Sequence, residues 1–218
     1  MRLALIGPPG SGKGTLAERL VERLGLQAIG TGEILRTAIR QRTPTGLLVE
    51  PAIKQGLLVP DAVVNDVIAE LFHRPDRPAK FVVDGYPRTL AQAIAFDALL
   101  FRESLELDLA VNLTIDDDEV VRRIGGRRLC TNSSCGALFH VVAKPPRVPG
   151  ICDKCGSPLA EREDDKEATI RRRLVEFHKN ADAVIGHYHT TGILRNVSAT
   201  DPPERIYSNV VTQFAKAQ

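Results

Sequence analysis

The sequence predicts an α/β fold, a parallel five-stranded sheet with helices on both faces and two insertions at its rim. Three observations carry that expectation. Short apolar runs, several of them β-branched, recur at residues 3–6, 28–29, 81–83, 109–115 and 193–197 of the 218. Helix-spaced stretches separate these runs and no hairpin signal joins any two, as expected of alternating βα units. The first run also breaks directly into a glycine-rich turn, GPPGSGKGT, followed by a leucine-spaced segment.

Composition permits such a domain and narrows its class. A hydrophobic content of 43% is enough for a sizeable core. Twenty-nine basic residues against 27 acidic leave a net charge of +2, too balanced for binding nucleic acid by bulk charge. No apolar run approaches the roughly 20 residues of a membrane span. Arg2 is followed by only four apolar residues before Gly7, which does not read as a signal peptide and leads us to expect a cytoplasmic protein. In that compartment disulfides are rare and paired cysteines more often hold metal.

Element by element, the opening run 3–6 reads as a buried parallel strand. Gly7-Pro8-Pro9-Gly10-Ser11-Gly12-Lys13 then fits G-x-x-x-x-G-K, with Gly14 and Thr15 behind it. Glycines there let backbone N–H groups curl round a phosphate, and the following helix aims its positive end at the same anion. Lys13 neutralises outer phosphates, and the Thr15 hydroxyl is placed for their Mg²⁺. Leu16, Leu20, Val21 and Leu24 form one helical face, closed by Gly25.

The second strand leads into Thr31-Gly32-Glu33-Ile34-Leu35-Arg36 and a polar helical excursion to about residue 60. The third ends in Asp84-Gly85-Tyr86-Pro87-Arg88-Thr89, with Gln92 one turn further on. Taken singly, Arg36 and Arg88 read as surface cations. Beside a phosphate loop they suggest a second anion site, and Asp84 at a strand end can hold Mg²⁺ through water. A helix begins at Asp116-Asp117-Asp118, and the spacing puts Arg123 and Arg127 on one face of it. Gly125-Gly126 follow as a candidate hinge. Residues 127–162 have almost no helical period, and Arg162 and Arg173 come at their end and just beyond.

That second insertion contains all four cysteines. Cys130 and Cys135 are separated by four residues, Cys152 and Cys155 by two, the pattern of a closed, structural zinc site. Metal would stabilise a segment too short and polar to bury a core. An unmetallated insertion, or disulfides under oxidation, are the alternatives. Phe139 with Lys144, Arg147 and Lys154 makes only a weak case for an RNA-binding ribbon.

GPPGSGKGT, TGEILR, FVVDGYPRT, GRR and REDDKEATIRRRL, in this order, resemble the adenylate kinase family in its long-lid form. The resemblance implies a P-loop NTPase-type core (1–29, 61–126 and 163–218), an AMP-binding insertion (30–60) and a zinc-knuckle lid (127–162). It implies reversible MgATP-dependent phosphorylation of AMP by a monomer whose lid closes to exclude water. Residue by residue, Gly10 to Thr15, Arg123, Arg127 and Thr200 would bind ATP. Thr31, Gly32, Arg36, Leu57, Leu58, Val59, Gly85, Tyr86, Arg88, Gln92, Arg162 and Arg173 would bind AMP. Lys13, Arg88, Arg123, Arg162 and Arg173 would line the transferring phosphoryl group, with Arg127 nearer the donor adenine and Asp164-Asp165 partnering lid arginines. Departures from the family pattern are Glu33 for the usual Asp, Tyr86 for Phe, and the longer first cysteine spacer. Thr31-Gly32 favours adenylate over uridylate or cytidylate as acceptor; another acceptor, or GTP as donor, is the nearest rival. A non-catalytic nucleotide sensor would not need so many arginines.

Overall fold

A computed structural model of the chain describes residues 1–216. Five strands, β1 (Arg2–Ile6), β2 (Gln27–Gly30), β3 (Phe81–Asp84), β4 (Leu109–Thr114) and β8 (Leu194–Ser198), form one parallel sheet in the order β2-β3-β1-β4-β8. The last strand starts one residue later than the apolar run suggested. The central strands β1, β3 and β4 are short, apolar and covered on both faces, which is why they read as continuous runs instead of alternations, whereas the edge strands β2 and β8 are partly exposed.

Alternate residues of β1 feed opposite cores. Ala4 and Ile6 pack with Ile29, Phe81, Val83 and Ala110 under α4 (Asp61–Phe72), α5 (Leu90–Arg102) and α7 (Glu167–Thr190). Leu3 and Leu5 join Val82, Leu109 and Val111 against α1 (Lys13–Leu24) and α8 (Pro203–Lys216). The first core holds an aromatic cluster: the Phe96 ring meets Phe72 at 5.8 Å and Tyr86 at 5.2 Å, both edge-on. α1 stops where Gly25 adopts a left-handed conformation and returns its N–H to Val21 O.

The strand register sets the rim. Leu5 pairs with Asp84, and Asp84 with Gly30. The carboxyl ends of β1, β3 and β2 therefore lie in one row, and the loops that follow them open side by side. The order of the sheet reverses at β1, where open α/β sheets receive ligands.

Two pieces sit outside this frame. α2 (Thr31–Arg40) and α3 (Pro44–Gln55) occupy the polar excursion. The cysteine insertion has three short strands, β5 (Arg127–Cys130), β6 (Leu138–His140) and β7 (Leu159–Ala160), paired antiparallel in the order β6-β5-β7. These strands were not expected. The helix before them, α6 (Asp117–Gly125), is capped by the Asp116 carboxylate on Asp118 N at 2.9 Å. It ends at Gly126, so Arg127 lies on β5 and not on the helical face expected to carry it beside Arg123. Gly126 is held by close approach: a Cβ there would meet the His140 ring at 2.3 Å. Among the described residues, no helix is long and apolar enough to cross a membrane.

Candidate active site and cysteine cluster

The loop after β1 closes tightly on its surroundings. Gly7 has φ +143, and a Cβ on it would sit 2.7 Å from Leu113 O; a Cβ on Gly10 would reach Ile124 at the same distance. At Gly12, the N-cap of α1, there is open space instead. Ser11 is fully buried. Lys13 folds back along the loop, its Nζ donating to Gly7 O (2.8 Å) and Pro8 O (2.7 Å). Burial lowers its pKa to about 8; the Asp84 carboxylate opposes this, while Arg88, Arg173 and Arg127 add to it.

Those arginines converge from separate elements. Arg88, on the loop after β3, donates Nε to Gly85 O at 2.6 Å. Its pKa is depressed by desolvation in the cleft, with Arg36 adding to the effect against Asp84. Arg173, on the second turn of α7, reaches Asp164 Oδ2 at 3.4 Å and is depressed by desolvation and by the charges of Arg88 and Arg127. Arg162 is depressed by burial and by Arg127 and Arg36, and its Nε is buried with no hydrogen-bond partner among the described residues. Arg127 makes a forked pair with the fully buried Asp165, Nε to Oδ2 at 2.7 Å and Nη2 to Oδ1. Burial lowers its pKa, but Asp165 more than offsets this, so Arg127 is raised overall. Positive charge thus crowds onto one point, relieved only in part by Asp84, Asp164 and Asp165. Such a cluster is built to receive a polyanion.

The acceptor-side residues share the same rim. Thr31, 2% exposed, donates its hydroxyl to Gly85 O at 2.9 Å, joining the end of β2 to the loop after β3. Arg36 lies over Gly32, its Nη1 3.3 Å from where a Cβ would be, and pairs with Glu33 at 3.2 Å. Leu57, Leu58 and Val59 follow the end of α3. Gln92 is 1% exposed and held on both ends of its carboxamide, by Arg88 N at 2.7 Å and by Asp61 at 2.7 Å.

Two residues fall elsewhere. Arg123 is tied to Glu119 (2.8 Å) and to Ala199 O (2.9 Å), next to Thr200. Tyr86, 1% exposed, is a core residue whose hydroxyl donates to Asn65 at 2.8 Å. Sequence reasoning missed Asp61 and Ala199; a backbone carbonyl leaves no mark in a sequence. Arg172, exposed on α7, donates to Gln55 O at 2.9 Å. The described cavity bordered by Met1, Leu24, Leu26, Lys80, Val211 and Phe214, about 490 Å³, opens at the amino ends of the strands, away from this chemistry.

The four cysteines form a second centre. All are free thiols, and their sulfurs lie within 4.8 Å of one another. Cys130 Sγ is 3.4 Å from Cys155 Sγ, and Cys135 Sγ is 3.7 Å from Cys152 Sγ. A tetrahedron of Zn–S bonds of about 2.3 Å has edges of about 3.8 Å, so the donor set and its size fit zinc. Burial pushes the Cys130 thiol up to about 12, while the Ser157 hydroxyl and N–H bring Cys155 down to about 6. Cys130, Ala137, Phe139 and Cys152 make a small buried cluster, contrary to the expectation that this segment lacks a core. Phe139 is 7% exposed within it and so presents no stacking platform.

A family model described as "Adenylate kinase" matches residues 5–193. The chain belongs to the adenylate kinase family. Curated adenylate kinases agree over nearly the whole length: one from Thermodesulfovibrio yellowstonii is 42% identical over 216 residues, covering 99% of this chain and 100% of that protein. One from Streptomyces coelicolor is 41% identical over 218 residues, 100% of both chains. One from Archaeoglobus fulgidus is 40% identical over 210 residues, 96% of each. As an adenylate kinase family member the chain is an enzyme, a nucleoside monophosphate kinase.

Proposed function

We propose that this adenylate kinase family member moves the γ-phosphoryl group of ATP to AMP, reversibly and with Mg²⁺, giving two ADP. The observation that carries the reading is the convergence of Lys13, Arg88, Arg127, Arg162 and Arg173, depressed or held by one another's fields and by few carboxylates. Phosphoryl transfer asks little covalent chemistry of a protein. It asks for two anions held in line and for charge stabilised on the oxygens between them.

In this reading the loop from Gly10 to Thr15 cradles the donor phosphates and Lys13 swings from its carbonyl partners onto them. Arg36 and Arg88 hold the acceptor phosphate, whose oxygen is already ionised and needs no general base. Arg162, whose Nε has no partner among the described residues, Arg127 and Arg173 close on the transferring group. Arg123, anchored beside Thr200, serves the donor nucleoside instead, the reverse of the roles the family resemblance suggested for Arg123 and Arg127. Thr31, residues 57–59, Gly85 and Gln92 surround the acceptor adenosine. Thr15 and Asp84 are the oxygen donors that would hold Mg²⁺, which supplies charge neutralisation when bound with ATP. The four cysteines would hold a structural zinc that fixes the segment 127–162, and closure of that segment over the phosphates excludes water as a competing acceptor. By its family resemblance the protein works as a monomer in the cytoplasm.

The test is ADP formation with ATP or GTP as donor and AMP, GMP, CMP or UMP as acceptor, with zinc measured on the same sample. The expected result is a strong preference for ATP and AMP and about one zinc per chain. Equal turnover of another acceptor would overturn the choice of AMP.

A further inference from the structure

Gln92 is a buried amide with its orientation fixed from both sides. Its Nε2 donates to Asp61 Oδ1 at 2.7 Å, and its Oε1 accepts from Arg88 N at 2.7 Å. Asp61 is itself held, because Thr89 Oγ1 donates to Asp61 Oδ2 at 2.8 Å while accepting from Gln92 N at 3.1 Å. A carboxylate only accepts and a backbone N–H only donates. Turning the carboxamide over would set oxygen against the Asp61 carboxylate and N–H against the Arg88 N–H, replacing two hydrogen bonds by two repulsions. Each partner uses half the capacity of its atom. The amide therefore keeps one N–H and one oxygen lone pair at a depth where only 1% of the residue is exposed, and unspent capacity there is costly.

We infer that Asp61 is a positioning residue for acceptor choice, locking the Gln92 amide so that it reads adenine and rejects the inverted purine edge. The inference rests on the reading above that Gln92 faces the acceptor base. Adenine offers an acceptor at N1 and a donor at its 6-amino group, matching the free N–H and oxygen of the locked amide. Hypoxanthine and guanine offer N1–H and O6, the reverse pattern. An amide free to rotate would suit either edge, as exposed Gln side chains do; one pinned by a carboxylate and a main-chain N–H suits only the first. Buried groups aimed at one pattern discriminate far more sharply than apolar pockets do.

The experiment compares three acceptors with ATP as donor: AMP, purine riboside 5′-monophosphate, which keeps N1 but lacks the 6-amino group, and IMP, which inverts the edge. With a locked amide the order of kcat/KM is AMP, then purine riboside monophosphate, then IMP, the last lower by at least about tenfold. A rotating amide would make IMP as good as purine riboside monophosphate, and that ranking in the wild-type protein would overturn the inference. Asp61→Leu and Asp61→Ala should raise IMP relative to purine riboside monophosphate by about fivefold or more, through KM for the acceptor. An unchanged ratio in variants that melt near the wild type would also overturn it, since a merely structural role moves stability without re-ranking purines. Should Asp61→Ala misfold, the similarly sized Asp61→Leu and the wild-type ranking still decide. Absence of AMP turnover in the wild type would instead bring down the acceptor reading, and the inference with it.

Discussion

The rim of the parallel sheet and the cysteine insertion solve the same problem, holding charged groups in place, by different means. At the rim, loops grow out of strands whose residues are fully buried, such as Val82, Val83 and Val111, between two large apolar cores. The insertion has strands of two to four residues and a small cluster built around Cys130 and Cys152. The first can afford crowded, mutually repelling cations because burial elsewhere stabilises the frame. The second lacks that reserve, and a metal held by its four cysteines, as proposed, would take its place.

The largest effect should come from the rim's chemistry. Lys13→Met should reduce turnover by on the order of a thousandfold or more while circular dichroism and melting stay near wild type. A near-normal rate would refute the role of the loop lysine. Next, Arg127→Ala should cost about a hundredfold in kcat, against no more than about tenfold for Arg123→Ala, whose loss should fall on KM for ATP. Parallel kinetics of the two variants check this, and the opposite order would restore the assignment drawn from resemblance.

Stability separates the two regions more directly. Phe96→Ala empties part of the aromatic cluster and should cost about 3–5 kcal/mol of global stability, read by denaturant titration. Cys130→Ser, or removal of zinc by a chelator, should lower the melting temperature by more than it lowers turnover measured well below melting. Equal losses of both would mean that the cysteine centre touches the chemistry.

The smallest effect is electrostatic. Lys13, with its pKa lowered from 10.5 to about 8, binds its proton more weakly folded than unfolded. Between those values the unfolded chain holds the extra proton, so the stability of the free protein should rise with pH across that window, relative to Lys13→Met. Denaturant midpoints of the two proteins between pH 7 and pH 10, taken at roughly unit steps, would show the difference. Saturating ATP should remove it by charging the lysine again.

What could be read from the sequence follows the same division. The central parallel strands were legible because two-sided burial writes an uninterrupted apolar run, and the phosphate loop because its glycines meet close contacts. The strands of the insertion were not: Arg127-Arg128-Leu129-Cys130 carries no apolar alternation, and its pairing depends on partners at Leu138 and Leu159. Arg127 was set on a helix because its spacing from Arg123 continues the helical period. The helix in fact ends at the Gly125-Gly126 pair, with Gly126 right-handed at φ −82, a stop that the period alone runs through. Arg123's anchor on Ala199 O joins positions 76 residues apart, which the β4–β8 pairing helps bring together.

The aligned ends of β1, β3 and β2 make the molecule unequally tolerant of length change. Adding a residue between α2 and α3 alters only a surface connection. Adding one inside β3 would turn Val82 and Val83 towards each other's cores and shift Asp84, Gly85 and Arg88 along the sheet by roughly 3.3 Å, the rise of one residue. Drift in chain length should therefore accumulate in the two insertions and be purged from the strands beneath them, so that the scaffold keeps its measure while its coverings vary.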